Sequence, residues 1–269
     1  MAPPKRIVGR APRWPLAIEL AYRRTLNQLV AALGEAARAA LARHGQAMLD
    51  AASIRGDAEE RQDAFADLLA QILLEIAMAV AGNLLEAERL VREHATAVSE
   101  FSKRDFRAIV RRAYGVDVVR GNESWLPDRM RAWEAENLEL IRSIPQQTVN
   151  RLRSEFTNAV LEGRGLRDMT RAVQDSTGAN RKRAELVARD QIGKLTSQLN
   201  ERRQRDIGVR SFLWRTVRDE RVRPAHRARD GKEFSYEEPG PRPGVEIRCR
   251  CSAAPVLPGL TAEQARGFG

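Results

Sequence analysis

The sequence predicts an α+β protein: a mainly helical N-terminal half, then a C-terminal domain of helices packed on a small antiparallel sheet. Three observations predict it. Apolar residues recur at three- and four-residue spacing as far as Ile207, the period falls to two beyond Gly208, and a second alternating stretch stands at Val245–Cys251. The first spacing lines up one face of a helix, and alternation lines up one face of a strand.

Residues 1–15 hold four prolines and four Arg or Lys with little to bury, which describes an extended arm that a partner would order. From Leu16 a helix is expected, with Leu26, Leu29, Val30, Leu33, Ala37, Ala40 and Leu41 on its buried side and Gly45 as its breaker. Beyond a turn at Arg55-Gly56-Asp57, the stripe Phe65, Leu68, Leu69, Ile72, Leu73, Ile76, Val80 and Leu84 is the strongest pattern in the chain. A third amphipathic segment carries Phe101, Phe106, Ile109 and Val110 and stops near Gly115. These stripes predict the core of a helical bundle. His44 and His94 stand alone among polar helix positions, where solvation is expected.

Gly115–Asn122 reads as a short connection, with strand character at Val116–Val119. Trp125, Met130, Trp133, Leu138 and Ile141 mark a helix stopped before Pro145, where a new helix begins, carries Val149, Leu152, Phe156 and Val160, and ends at Gly163-Arg164-Gly165. A short helix with Leu166, Met169 and Val173 precedes a turn at Asp175–Gly178. A long, Arg-studded helix then runs from about Arg181 to Ile207 and ends on Gly208. Strands are expected at Val209–Val217 and Val245–Cys251, joined by a loop rich in Pro, Gly and charge. In the second strand, Val245, Ile247, Cys249 and Cys251 share one face, and Glu246, Arg248 and Arg250 the other. The expected organisation is therefore an arm (1–15), a helical region (16–115), a C-terminal domain (116–257) and a tail (258–269).

No uninterrupted apolar run reaches the ~18 residues of a membrane helix, and the basic N-terminus has no apolar stretch behind it, so neither a membrane partner nor a signal peptide is expected. Of a formal charge of +10, the segment Arg181–Asp230 carries +8, from 15 basic and 7 acidic residues. Such a segment attracts nucleic acid or an acidic protein surface. Only 5 of the 46 basic residues are Lys, so a compositional bias toward Arg explains part of it equally well.

His226, Cys249 and Cys251 are the soft metal ligands of the C-terminal part, and thiolates with an imidazole suit tetrahedral zinc. Asp219, Asp230 or water would complete such a site. The alternative is that both thiols are small buried groups and His226 bonds a loop carbonyl. Arg218, Arg221, Arg223, Arg227 and Arg229 suit bidentate contact with phosphates or carboxylates, as a polyanion site. Equally, they suit internal pairing with Asp219, Glu220 and Asp230. A metal-dependent nuclease built on Asp219, His226 and Asp230 is conceivable. No acidic cluster, phosphate-binding Gly-rich loop or paired nucleophile supports it, so no enzyme is expected.

Three stretches carry a resemblance: Glu136–Pro145 (ENLELIRSIP), Val187–Lys194 (VARDQIGK), and Trp214–His226 (WRTVRDERVRPAH), the last followed by Asp230-Gly231-Lys232 and Cys249-Arg250-Cys251. In that order they resemble the phage Mu F-like family of phage head morphogenesis (minor head) proteins, over roughly residues 120–257. The resemblance implies a low-copy structural protein of the procapsid that is not an enzyme. It would be made in the host cytoplasm, bound to the portal protein at the capsid interior or scaffold, and possess a role in procapsid assembly and in packaging or ejection of DNA. The alternative it leaves open is an internal virion protein that binds DNA without reading its sequence and leaves with the genome. The Ala-rich faces of region 16–115 are expected to make the attachment.

Overall fold

A computed structural model describes residues 6–53, 58–119, 122–260 and 264. The expected turn at residues 55–57 and most of the expected tail lie outside the described residues. The class is α+β, as the periodicity predicts. The helices are α1 (Leu16–Ser53), α2 (Ala58–Tyr114), α3 (Leu126–Leu161), α4 (Leu166–Asp206) and α5 (Pro224–Arg227). The strands are β1 (Ile7–Val8), β2 (Ser211–Arg215), β3 (Glu233–Ser235) and β4 (Ser252–Leu257). All pairings are antiparallel, in the order β1-β4-β2-β3.

Several expected breaks are absent. Gly45 lies within α1, where a Cβ would stand 2.6 Å from the Leu166 side chain, so its cost in helix propensity is exchanged for a close approach. The second and third amphipathic segments are one helix, α2. Pro145 lies inside α3, and the turn expected at Asp175–Gly178 lies inside α4. Val116–Val119 is no strand, although Val118 and Val119 are buried. Gly208, with φ +81°, does follow the last turn of α4.

The chain forms two compact units, each assembled from segments distant in sequence. Unit 2, Ala21–Val91 and Ala135–Val187, is helical. Its core holds Leu26, Leu29, Leu33, Ile72, Ile76, Leu152 and Phe156. Tyr22 is buried there and donates to Asn137 Oδ1 at 2.8 Å, and burial pushes its phenol up. His44 is not simply solvated: its Nε2 lies 2.8 Å from Glu75, which also accepts from Arg43. Leu74, Met78 and Leu85 of α2 stay 60, 68 and 67% exposed, one stripe along a face that also carries Ala77, Ala81 and Gly82. An 18-residue stretch of this helix is long and apolar enough to cross a membrane by length and composition, although polar residues interrupt its apolar run.

Unit 1, Met1–Leu20, Arg92–Glu134 and Ala188–Gly269, contains the whole sheet. Phe106, Ile109, Val110 and Tyr114 of α2 pack with Phe212, Trp214, Tyr236 and Leu257 in one apolar cluster. The arm is extended but needs no partner to hold it from Arg6 onward. Ile7 and Val8 pair with Leu257 and Val256, and Arg10 and Arg13 both donate to the buried carboxylate of Asp105 at 2.7 and 2.6 Å. Arg203 is buried in the same unit. It donates from Nε and Nη2 to Glu123 at 2.6 and 2.9 Å and to Ser99 O and Oγ at 3.2 and 3.1 Å.

Candidate metal centre and its arginine-lined cavity

The expected strand at Val245–Cys251 does not form, yet the ligands it was expected to supply do converge. Residues 243–251 are turns and irregular chain, and the sheet strand begins one residue later, at Ser252. The alternation misleads here: Val245 and Ile247 are 38 and 59% exposed, and only Cys249 and Cys251 turn inward. What shapes the segment is a pair of left-handed backbone positions, Gly244 (φ +84°) and Arg248 (φ +59°). Glycine adopts the first without cost; the second is held by Asp190 of α4, whose Oδ1 accepts from the Arg248 N–H at 2.7 Å. Burial raises the Asp190 carboxyl above its ordinary range.

His226 arrives from the other side. Pro224 starts the single turn of α5, which carries His226 inward until it is buried edge-on against Trp214, with ring centroids 5.2 Å apart. Its Nδ1 lies 3.6 Å from Cys249 Sγ and 3.6 Å from Cys251 Sγ, and the three donor atoms all lie within 4.8 Å of one another. With metal–sulfur and metal–nitrogen bonds of about 2.3 and 2.0–2.1 Å, a tetrahedral zinc site has a nitrogen–sulfur edge of about 3.6 Å. Both nitrogen–sulfur distances therefore fit that geometry. Nε2 of His226 lies 3.1 Å from Glu246, a carboxylate–imidazole contact of the kind that orients a metal-binding histidine. Burial pushes Glu246 up, but the His226 contact and the Arg223 and Arg229 charges outweigh it and hold it below the ordinary carboxylate range.

The thiols are reduced and act as a pair. Hydrogen bonding from Cys251 pulls the Cys249 thiol down against the effect of burial, helped by the Gly244 N–H 3.3 Å from its sulfur and by the His226 charge. The same contact and burial push the Cys251 thiol up, so the two sulfurs share one proton-mediated contact. Among the described residues this is the one His, Cys, Asp or Glu cluster with a metal-binding arrangement.

The acidic ligands considered from sequence are engaged with other partners, although the Asp230 charge reaches Cys251 and helps to raise its thiol. Asp219 bonds Arg250 at 2.5 Å and the Arg221 N–H at 3.1 Å; Asp230 accepts from the Thr216 N–H at 2.9 Å and Arg218 Nε at 3.0 Å. Asp219, His226 and Asp230 are consequently not gathered as a nuclease site would need. The polyanion residues are partly committed too. Arg218 pairs with Asp230, Arg223 with Glu246 and Ile247 O, Arg229 lies over the Trp214 ring near Glu246, and Arg227 reaches Val222 O at 3.5 Å. Arg221 extends to a cavity of about 350 Å³ that His226, Cys249 and Cys251 also line. Arg189 and Arg248, absent from the sequence reading, line it as well. Glu246 was also missed as a histidine partner. Its signal was adjacency to the cysteines, which alternation assigned to the opposite face.

Residues 150–254 match the family model described as Phage Mu protein F like protein. The chain is 32% identical over 139 residues to an uncharacterized protein of Haemophilus influenzae, covering 51% of this chain and 31% of that one. It is 27% identical over 127 residues to "NAD(+)--arginine ADP-ribosyltransferase EFV" of Enterococcus faecalis, covering 41% and 26% respectively. The chain thus spans about a third or less of the curated relatives it matches. No solved structure matches.

Proposed function

We propose that this is a minor structural protein of a tailed-phage head, bound to the portal on the capsid interior and acting in procapsid assembly and in DNA packaging or ejection. The observation that carries it is the family match over residues 150–254. The attachment surface is the exposed stripe Leu74, Met78 and Leu85, because an apolar helix face left in water is a docking surface awaiting a partner. A triple substitution to Gln at these positions leaves the buried side of α2 untouched. It should retain the melting temperature and abolish co-purification with co-expressed portal protein; undiminished co-purification overturns the assignment. The ADP-ribosyltransferase likeness touches about a quarter of that relative, which suits a domain shared between proteins of different activity.

Within this reading, His226, Cys249 and Cys251 hold one zinc ion, with the fourth position left to water or a ligand. Zinc there joins α5 to the segment before β4 and constrains a long, weakly apolar loop; its binding free energy counts as folding free energy. A second reading, contact with packaged DNA, is favoured by the +8 charge of Arg181–Asp230. Retention on DNA that falls with salt by about 0.9 log units per log unit for each phosphate neutralised supports it. Absence of retention at low ionic strength removes it.

A further inference from the structure

The cavity beside the metal ligands has a charge balance that neither a structural zinc nor diffuse contact with DNA requires. Arg189, Arg221, Arg223, Arg248 and Arg250 line it together with His226, Cys249 and Cys251; Val217 and Val222 complete its wall, and no carboxylate lines it. Two of these guanidinium groups are neutralised: Arg223 by Glu246 and Arg250 by Asp219. Arg189, Arg221 and Arg248 form no ion pair among the described residues, and Arg189 Nε is shielded from water without a hydrogen-bond partner. Asp190 feels the Arg189 and Arg248 charges but gives its oxygen to the Arg248 backbone N–H. That bond fixes where Arg248 leaves the chain. A protein interior leaves a donor unpaired at a cost of about 1–3 kcal/mol unless something fills the role.

We propose that this cavity binds a terminal phosphate group, either inorganic phosphate or a phosphomonoester at the end of a nucleic-acid chain, with Arg189, Arg221 and Arg248 as the binding residues. A dianion with three terminal oxygens answers three guanidinium groups whose planar forks favour bidentate contact. A phosphodiester inside a strand brings one negative charge and two free oxygens, and so leaves one of the three unanswered. The site does not depend on the protein's place in a virion, and the three residues differ from the zinc ligands.

Calorimetry on the full-length protein provides the test, using inorganic phosphate, a 5′-phosphorylated dinucleotide, and the same dinucleotide without its 5′ phosphate. Phosphate and the phosphorylated dinucleotide should compete for one site, and the unphosphorylated one should bind at least tenfold more weakly. If inorganic phosphate binds and the phosphorylated dinucleotide does not, the source is free phosphate and the site stands. Arg189→Gln should weaken binding by about ten- to a hundredfold, the range expected for a lost charge-assisted hydrogen bond. Arg221→Gln is the companion variant, because that side chain is exposed and forms no ion pair among the described residues; with an unchanged melting temperature it should also lose at least tenfold. No binding by the wild-type protein, or equal binding by it and both variants, overturns the proposal.

Discussion

Replacing Glu123 by Ala should destabilise unit 1 by about 3 kcal/mol, the low end of the range for breaking a buried ion pair. Arg203 is 1% exposed and directs two donors at Glu123, from Nε at 2.6 Å and Nη2 at 2.9 Å. Charge-assisted bonds of this kind contribute about 1.5–3 kcal/mol each, so losing both gives roughly 3–6 kcal/mol. The Ser99 carbonyl and hydroxyl still accept from the guanidinium, and the Trp125 ring still lies 5.9 Å from it, which favours the lower end. Urea unfolding followed by tryptophan fluorescence is well suited to the measurement. All four tryptophans, at positions 14, 125, 133 and 214, belong to unit 1, so the signal reports that unit alone. The paired substitution Glu123→Leu with Arg203→Met should recover part of the loss, because it removes both charges of the buried pair and leaves only Lys103, 19% exposed, without the Glu123 carboxylate. Burial pushes the Glu123 carboxyl up, but Arg203 and Lys103 outweigh it and hold it below the ordinary value. A lowered folded pKa means that the stabilisation is complete above the unfolded carboxylate value, about 4.3, and is lost as pH falls through the lower folded one. The wild type should therefore show an acid-side loss that is diminished in the paired variant. A cost below about 1 kcal/mol for Glu123→Ala would refute the reasoning, since water would then be solvating the guanidinium.

Three other outcomes are expected. Asp105→Ala strips the buried acceptor shared by Arg10 and Arg13, so trypsin should cut at both arginines in the variant much faster than in the wild type; equal rates would show that the strand pairing alone holds the arm. Cys251→Ser should release metal to below about 0.2 zinc per chain and lower the melting temperature of unit 1, as expected when metal binding is coupled to folding; wild-type protein purified without chelator that holds no zinc removes the metal from the site. Gly193→Ala places a methyl 2.8 Å from the Trp14 ring and should cost about 1–3 kcal/mol by overpacking, with a shift in tryptophan emission. An unchanged spectrum and midpoint would mean that Trp14 yields freely.

The helical faces were legible because burial follows spacing: every residue named for the first helix, from Leu26 to Leu41, is buried. The breakers were not, because a glycine or proline costs a helix a local amount that packing can outweigh, as Gly45 against Leu166 demonstrates. The last strand was displaced for a different reason. Ser252–Leu257 contains Pro255, which argues against a strand flanked on both sides. Its carbonyl accepts from the Gly9 N–H, so Pro255 faces the β1 side beyond the two paired residues of that strand, where the missing donor breaks no ladder bond. His226, Cys249 and Cys251 were legible as candidate metal ligands by residue type, and their meeting was foreseen through geometry that the chain does not adopt. Tight turns at Gly244 and Arg248, rather than strand alternation, aim both thiols inward. Arg189 and Arg248 escaped notice because a cavity gathers side chains by position in space, and neither adjacency nor period records that.

The pairing of Ile7 with Leu257 bears on the order in which the protein comes into being. Closing a loop of 250 residues between those partners costs about 5 kcal/mol of chain entropy. On the ribosome, the first strand must wait until nearly the whole described chain has emerged before its neighbour exists. The helical segments of unit 2 are complete by Val187 and have no such delay. Local helical contacts form fast and remote strand pairings slowly, so a helical unit should mature during synthesis and the sheet after it. Cys249 and Cys251 stand directly before the last strand to arrive, so zinc bound there as proposed would enter late, after the helical unit has formed.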